Sequence, residues 1–145
     1  PPLMGGEHPF RFTCGHARWS VHSFMRDNEL MLQQQRGVPI VYMNDEDARK
    51  RDIEDHEKIE VFNDVGRFEV HVKTPPSMQP GQLHSYHAWE TFMFKDGTSH
   101  AAIMASQLKP LNVVGDYGHL RYSPGFYQAN NVDKGSTCDV RKLIR

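Results

Sequence analysis

The chain has 145 residues, a formal net charge of −1 and 38% hydrophobic residues, which suits one domain with a single substantial core. The near-neutral charge provides no concentrated basic face, so nucleic acid is not an expected partner. No apolar run approaches the length that crosses a bilayer, so direct membrane insertion is not expected either.

Nine prolines and eleven glycines are scattered as turn punctuation and predict many short elements. Residues 1–9 read as an irregular lead-in and residues 10–145 as the domain. The opening Pro1-Pro2-Leu3-Met4-Gly5-Gly6 has no signal-peptide pattern and reads as the start of an excerpt or a processed product. A short strand is predicted at Phe10 to Thr13, followed by a polar loop. Asn28 can cap a helix over Glu29 to Gln35, which Gly37 stops in a left-handed conformation. Val38 to Met43 is an apolar run that reads as a buried strand. Asn44 caps a second helix with Asp45, Glu46 and Asp47 in its first turn and Arg49, Lys50 and Arg51 in its last, an order that complements the helix dipole.

Strands are next predicted at Lys58 to Phe62 and Arg67 to Lys73. In the second, Phe68, Val70 and Val72 alternate with Arg67, Glu69, His71 and Lys73, so one face is buried and one is wet. Asn63-Asp64-Val65-Gly66 between them is hairpin-turn chemistry. Gln82 to His87 resumes as a strand after a proline-rich loop. The tail offers strands around Leu111 to Val114 and Asp139 to Ile144. The whole reads as mainly β with inserted helices, most economically closed as a barrel.

Gly15 to Ser23 concentrates His16, Arg18, Trp19, Ser20, His22 and Ser23 in nine residues. A cationic fork, aromatic faces and hydroxyls near a glycine suit a flat, polar, phosphate-bearing ligand. A plain surface loop with one tryptophan turned into the core fits the same residues. Two further polar clusters sit in loops, Tyr86-His87-Ala88-Trp89-Glu90 and Tyr127 to Gly135. In the latter, Gln128, Asn130 and Asn131 present amide edges suited to a heterocycle, and Lys134 suits a phosphate oxygen.

The histidines match no standard zinc signature: His16 and His22 are six apart, His84 and His87 three apart, with no cysteine or carboxylate at ligand spacing. No metal ligand is therefore assigned, and His56 and His71 read as surface residues. No nucleophile elbow, phosphate-binding loop or dinucleotide glycine fingerprint occurs, so no catalytic residue is assigned. Cys14 and Cys138 lie near opposite ends of the chain and read most simply as two unpaired thiols.

Arg36 to Ala48, Ile59 to Gly66, Pro80-Gly81, Tyr86 to Glu90, Lys109 to Leu120 and Asp139 to Leu143 form an ordered series. It resembles the C-terminal molybdopterin-dinucleotide-binding domain of the dimethyl sulfoxide reductase family, from about Phe10 to the C-terminus. Within that family it looks most like the subgroup of ethylbenzene dehydrogenase, dimethyl sulfide dehydrogenase and the selenate, chlorate and perchlorate reductases. The resemblance implies a six-stranded double-psi β-barrel and a bis(molybdopterin guanine dinucleotide) cofactor carrying molybdenum. It implies that His16, Arg18, Trp19, His22 and Ser23 form a loop against pterin and diphosphate. It likewise implies that His87, Trp89 and Glu90 lie at the pterin, and that Asn130, Asn131 and Lys134 close over the dinucleotide. The metal-ligating side chain and an iron–sulfur cluster would belong to other domains, so this stretch is not expected to turn over alone.

The expected whole is an ethylbenzene-dehydrogenase-like hydroxylase of a hydrocarbon, in a periplasmic prokaryotic enzyme. The expected partners are the remaining domains of the catalytic subunit, an iron–sulfur electron-transfer subunit and a haem subunit. The alternatives are a nitrate-, selenate- or perchlorate-type reductase, a stand-alone double-psi barrel acting as a binding module, and a metal-dependent hydrolase built on the histidines.

Overall fold

A computed structural model describes residues 5–17, 20–34, 37–87, 89–104 and 136–143. Six strands close into one barrel: β1 (Phe10–Gly15), β2 (Ile40–Met43), β3 (Lys58–Phe62), β4 (Arg67–Lys73), β5 (Gln82–Tyr86) and β6 (Thr137–Lys142). Around the barrel the order is β1-β5-β2-β4-β3-β6. The β1–β5 and β2–β4 pairs are parallel, and the other four neighbouring pairs are antiparallel. A closed, mixed barrel of this kind is consistent with the expected double-psi architecture, and closure leaves no open sheet edge.

Alternation along the strands builds the core. Phe68, Val70 and Val72 of β4 point inward as their spacing predicts, and Phe10, Phe12 and Cys14 do the same in β1. They meet Val41, Met43, Ile59, Val61, Leu83, Cys138 and Val140 in one apolar cluster. Phe12 and Phe68 touch edge to face with ring centroids 6.0 Å apart. The two cysteines are both buried in this barrel, and no disulfide occurs among the described residues.

Several predicted boundaries move once partners are in place. β1 continues two residues past Thr13, because its parallel partner β5 pairs with it through Gly15↔Tyr86. β2 begins at Ile40 rather than Val38, since Pro39 has no N–H to give a ladder. β5 ends at Tyr86, one residue short of His87. The predicted strand near Leu111 to Val114 lies outside the described residues. The last strand starts earlier than predicted, at Thr137, and closes the barrel between β1 and β3.

Helix α1 (Glu29–Gln34) has no buried residue, and Gly37 (φ 77°) donates its N–H to Leu32 O at its end. Helix α2 (Asp45–Arg49) is shorter than predicted, with Lys50 as its C-cap, so Arg51 falls outside it. Its predicted N-cap holds: Asn44 Oδ1 accepts from Glu46 N at 2.9 Å. Asn44 Nδ2 also donates to Met78 O at 2.7 Å, and Asp47 Oδ2 accepts from Gly81 N at 2.7 Å. The start of α2 thus fixes the proline-rich loop that leads into β5.

The turn after β3 is fastened in the same way. Asn63 Nδ2 donates to Ile103 O and Thr137 O, while its Oδ1 accepts from Val65 N and Gly66 N. A Cβ at Gly66 would stand 2.4 Å from Ala102 O, so only glycine allows this close approach. Three short 3-10 turns, at Thr91–Met93, Lys95–Gly97 and His100–Ile103, carry the chain from the end of β5 across the barrel. No helix among the described residues is long and apolar enough to cross a membrane.

Candidate functional site

Parallel neighbours end at the same end of a sheet, and this brings two distant histidines together. His16 follows the last residue of β1 and His87 the last residue of β5, with Gly15 and Tyr86 in register. His87 N donates to Gly15 O at 2.9 Å, extending the pairing one step beyond the strands. The ring centroids of His16 and His87 are consequently 4.4 Å apart.

A tight turn over residues 21–27 returns a third imidazole to the same point. His22 lies 4.9 Å from the His16 ring and 5.6 Å from the His87 ring, centroid to centroid. Its backbone is left-handed, with φ 51°, and Met25 three residues later has φ 60°. Such values are uncommon for side chains with a Cβ and are retained where surrounding structure imposes them. His16 and His22 are exposed and His87 is half-buried.

The turn is held by a residue that the sequence does not mark. Arg26 lies in an otherwise exposed stretch, yet its side chain is fully buried. Its guanidinium sits 3.8 Å from the centroid of the Trp89 ring, and Nη2 donates to Ser20 Oγ at 3.0 Å. Burial pushes the guanidinium pKa down, and the nearby Glu90 carboxylate opposes that shift. Trp89 itself packs against the barrel core. Arg26 therefore ties the His22 turn to the segment that carries His87. The only local signal was a cation set among Phe24, Met25 and Leu30, three side chains that remain exposed.

Of the residues singled out from the sequence, His16, His22 and His87 converge, Ser23 lies in the same turn, and Trp89 and Glu90 lie at Arg26. Arg18, Trp19, Asn130, Asn131 and Lys134 lie outside the described residues. His84, three residues before His87, is separated from it by strand alternation. Its Nδ1 lies 2.9 Å from Thr13 Oγ1, its ring meets Tyr86 edge to face, and burial lowers its pKa. His71 Nδ1 faces His56 O at 3.3 Å, and neither residue joins the cluster.

Exposed imidazoles offer N–H donors and lone-pair acceptors at fixed positions, a donor set that fits the ring heteroatoms of a pterin. The sequence matches the family described as Molydopterin dinucleotide binding domain over residues 10–120. The chain belongs to this family. The domain is also 38% identical to the respiratory nitrate reductase subunit alpha of Haloferax mediterranei, across 98% of the chain and 15% of that protein. It is 36% identical to the chlorate reductase subunit alpha of Ideonella dechloratans, across 98% of the chain and 16% of that protein. The dimethylsulfide dehydrogenase subunit alpha of Rhodovulum sulfidophilum is 35% identical across 92% of the domain and 15% of its own length. The domain thus spans about 15% of the curated relatives it matches. Among solved structures, acetylene hydratase from Pelobacter acetylenicus superposes with a TM-score of 0.64 over 94% of the domain and 18% of that protein. At 14% sequence identity, that likeness concerns the fold.

Proposed function

We propose that this domain is one wall of the cofactor site in the catalytic subunit of a molybdenum oxyanion reductase of the nitrate or chlorate type. The observation that carries the reading is the convergence of His16, His22 and His87 at the shared end of β1 and β5, in a chain that belongs to the dinucleotide-binding family. When bound, the cofactor's molybdenum supplies two-electron oxygen-atom transfer. The domain's own contribution is to bind and orient. Its three imidazoles donate hydrogen bonds to pterin heteroatoms, with Arg26 and Trp89 fixing where His22 stands. Arg18 supplies a fork for diphosphate oxygens, and Asn130, Asn131 and Lys134 close over the nucleotide end. In the turn that carries His22, Val21, Phe24 and Met25 are left exposed, which suits burial against the remainder of a longer subunit.

The relatives named above are a nitrate reductase, a chlorate reductase and a dimethylsulfide dehydrogenase, two of the three being oxyanion reductases. They favour the reductase reading over the hydrocarbon hydroxylation expected from the subgroup resemblance. Electron-transfer subunits and a periplasmic location belong to the same proposal. The test is anaerobic expression of the complete polypeptide in a host that makes the cofactor. Reduced-viologen oxidation by nitrate or chlorate, with molybdenum and guanine nucleotide retained, is the expected result. Hydroxylation of ethylbenzene without oxyanion reduction would reverse the choice, and absence of bound pterin would remove the reading altogether. In the same polypeptide Arg18→Ala is expected to lower cofactor content more than thermal stability.

A further inference from the structure

We propose that His16, His22 and His87 also form a binding site for a divalent transition-metal ion in the cofactor-free protein. One ring nitrogen from each of the three side chains lies within 4.8 Å of those of the other two. It is the one such group of three metal-capable side chains among the described residues. In a tetrahedral site with metal–nitrogen bonds of about 2.0–2.1 Å, neighbouring nitrogens stand about 3.4 Å apart. Closing that difference needs small ring rotations rather than any change in the barrel. His87 is the fixed member, because its backbone continues the β1–β5 pairing through Gly15 O. His16 and His22 are exposed, so their rings can rotate about the side-chain bonds while Arg26 holds the turn that carries His22.

Three neutral nitrogen donors with no carboxylate or thiolate among them favour copper(II), nickel(II), zinc(II) or cobalt(II) over magnesium or calcium. Three protein ligands leave a fourth position open to water. The strained backbone at His22 becomes intelligible in this light, since the left-handed turn is what aims its ring at the other two. The ion would occupy the space proposed for a pterin, so the two ligands exclude one another. The site requires only the three rings and does not depend on the cofactor assignment.

The experiment is a titration of the cofactor-free chain with cobalt(II), followed by visible absorption, with zinc(II) as competitor. The expected result is one equivalent bound at micromolar metal, displaced by zinc, with thermal stability rising with the logarithm of free metal once the site is filled. His16→Ala, His22→Ala and His87→Ala are each expected to weaken binding at least tenfold, whereas the His56→Ala/His71→Ala pair leaves it unchanged. His22→Gly provides a second variant that removes the ligand while accepting the positive φ without strain, and metal-free urea stability equal to wild type assigns its loss of binding to the missing ring. Failure to bind a stoichiometric ion, or undiminished binding after all three substitutions, overturns the proposal. Cofactor content of the same variants, expressed as complete polypeptide, is an independent readout. Metal binding can therefore fail while the pterin reading stands, and the reverse.

Discussion

The guanidinium of Arg26 lies 3.8 Å from the centroid of the Trp89 ring, and this contact joins the two segments that carry His22 and His87. Its strength comes from withdrawal from water: a cation held over an indole face gains more when both are desolvated. The same withdrawal makes Arg26 costly to leave alone, and Ser20 Oγ and the field of Glu90 offset that cost.

Arg26→Ala is accordingly expected to destabilise the chain by about 2 kcal/mol in urea denaturation, from the lost stack and the lost hydrogen bond. Arg26→Lys keeps the charge but loses the planar fork, and should recover less than half of that. In the cofactor-loaded polypeptide both variants should release pterin faster than wild type. Wild-type stability for Arg26→Ala would remove the clamp.

Asn44 caps α2 and holds the loop before β5 with the same side chain. Asn44→Ala is expected to cost about 0.5–2 kcal/mol, the range for a lost N-cap. Asn44→Asp keeps the acceptor for Glu46 N, loses the donor to Met78 O and adds charge beside Asp45 to Asp47, so it should fall between. Equal stability of the aspartate variant and wild type would mean that the bond to Met78 contributes nothing measurable.

His84 gives the chain an acid-sensitive element. Burial lowers its pKa in the folded state, whereas an unfolded histidine titrates near its ordinary value of about 6.5. Between the two values the unfolded chain binds more protons, so stability rises with pH there. The contribution is complete above about pH 6.5 and is lost as pH falls from there through the lower folded value. Urea midpoints compared at pH 7.5, 6.5 and 5.5 should fall more steeply for wild type than for His84→Gln. Parallel curves would show that the ring is free to protonate in the barrel wall.

The thiol of Cys138 is pushed up to about 12 by burial, with the neighbouring Asp139 charge adding to the shift. Almost no thiolate is present at pH 8, and the sulfur is shielded as well. In a Cys14→Ser background, a disulfide reagent should find no reactive thiol in the native chain and one after guanidinium unfolding. Native-state reaction at the rate of an exposed cysteine would contradict the burial of β6.

Much of the barrel is legible in short stretches of sequence. The alternation of Phe68, Val70 and Val72, the turn chemistry from Asn63 to Gly66 and the Asn44 cap depend on residues a few positions apart. Local spacing and local hydrogen bonding therefore determine them. The polar clusters around His16 and His87 are visible as ligand-binding composition for the same reason. What residue spacing cannot decide by itself is which of nine histidines meet. His84 and His87 are only three residues apart, yet strand alternation and the end of β5 part them. The parallel register Gly15↔Tyr86 instead sets His87 beside His16, across some seventy residues of chain. The burial of Arg26 is of the same kind, because an arginine among exposed apolar side chains becomes an anchor only when Trp89 arrives beneath it. Strand pairing across the closed barrel, and the desolvation it imposes, are properties of the whole packed chain. They bring scattered polar residues to one end of the barrel.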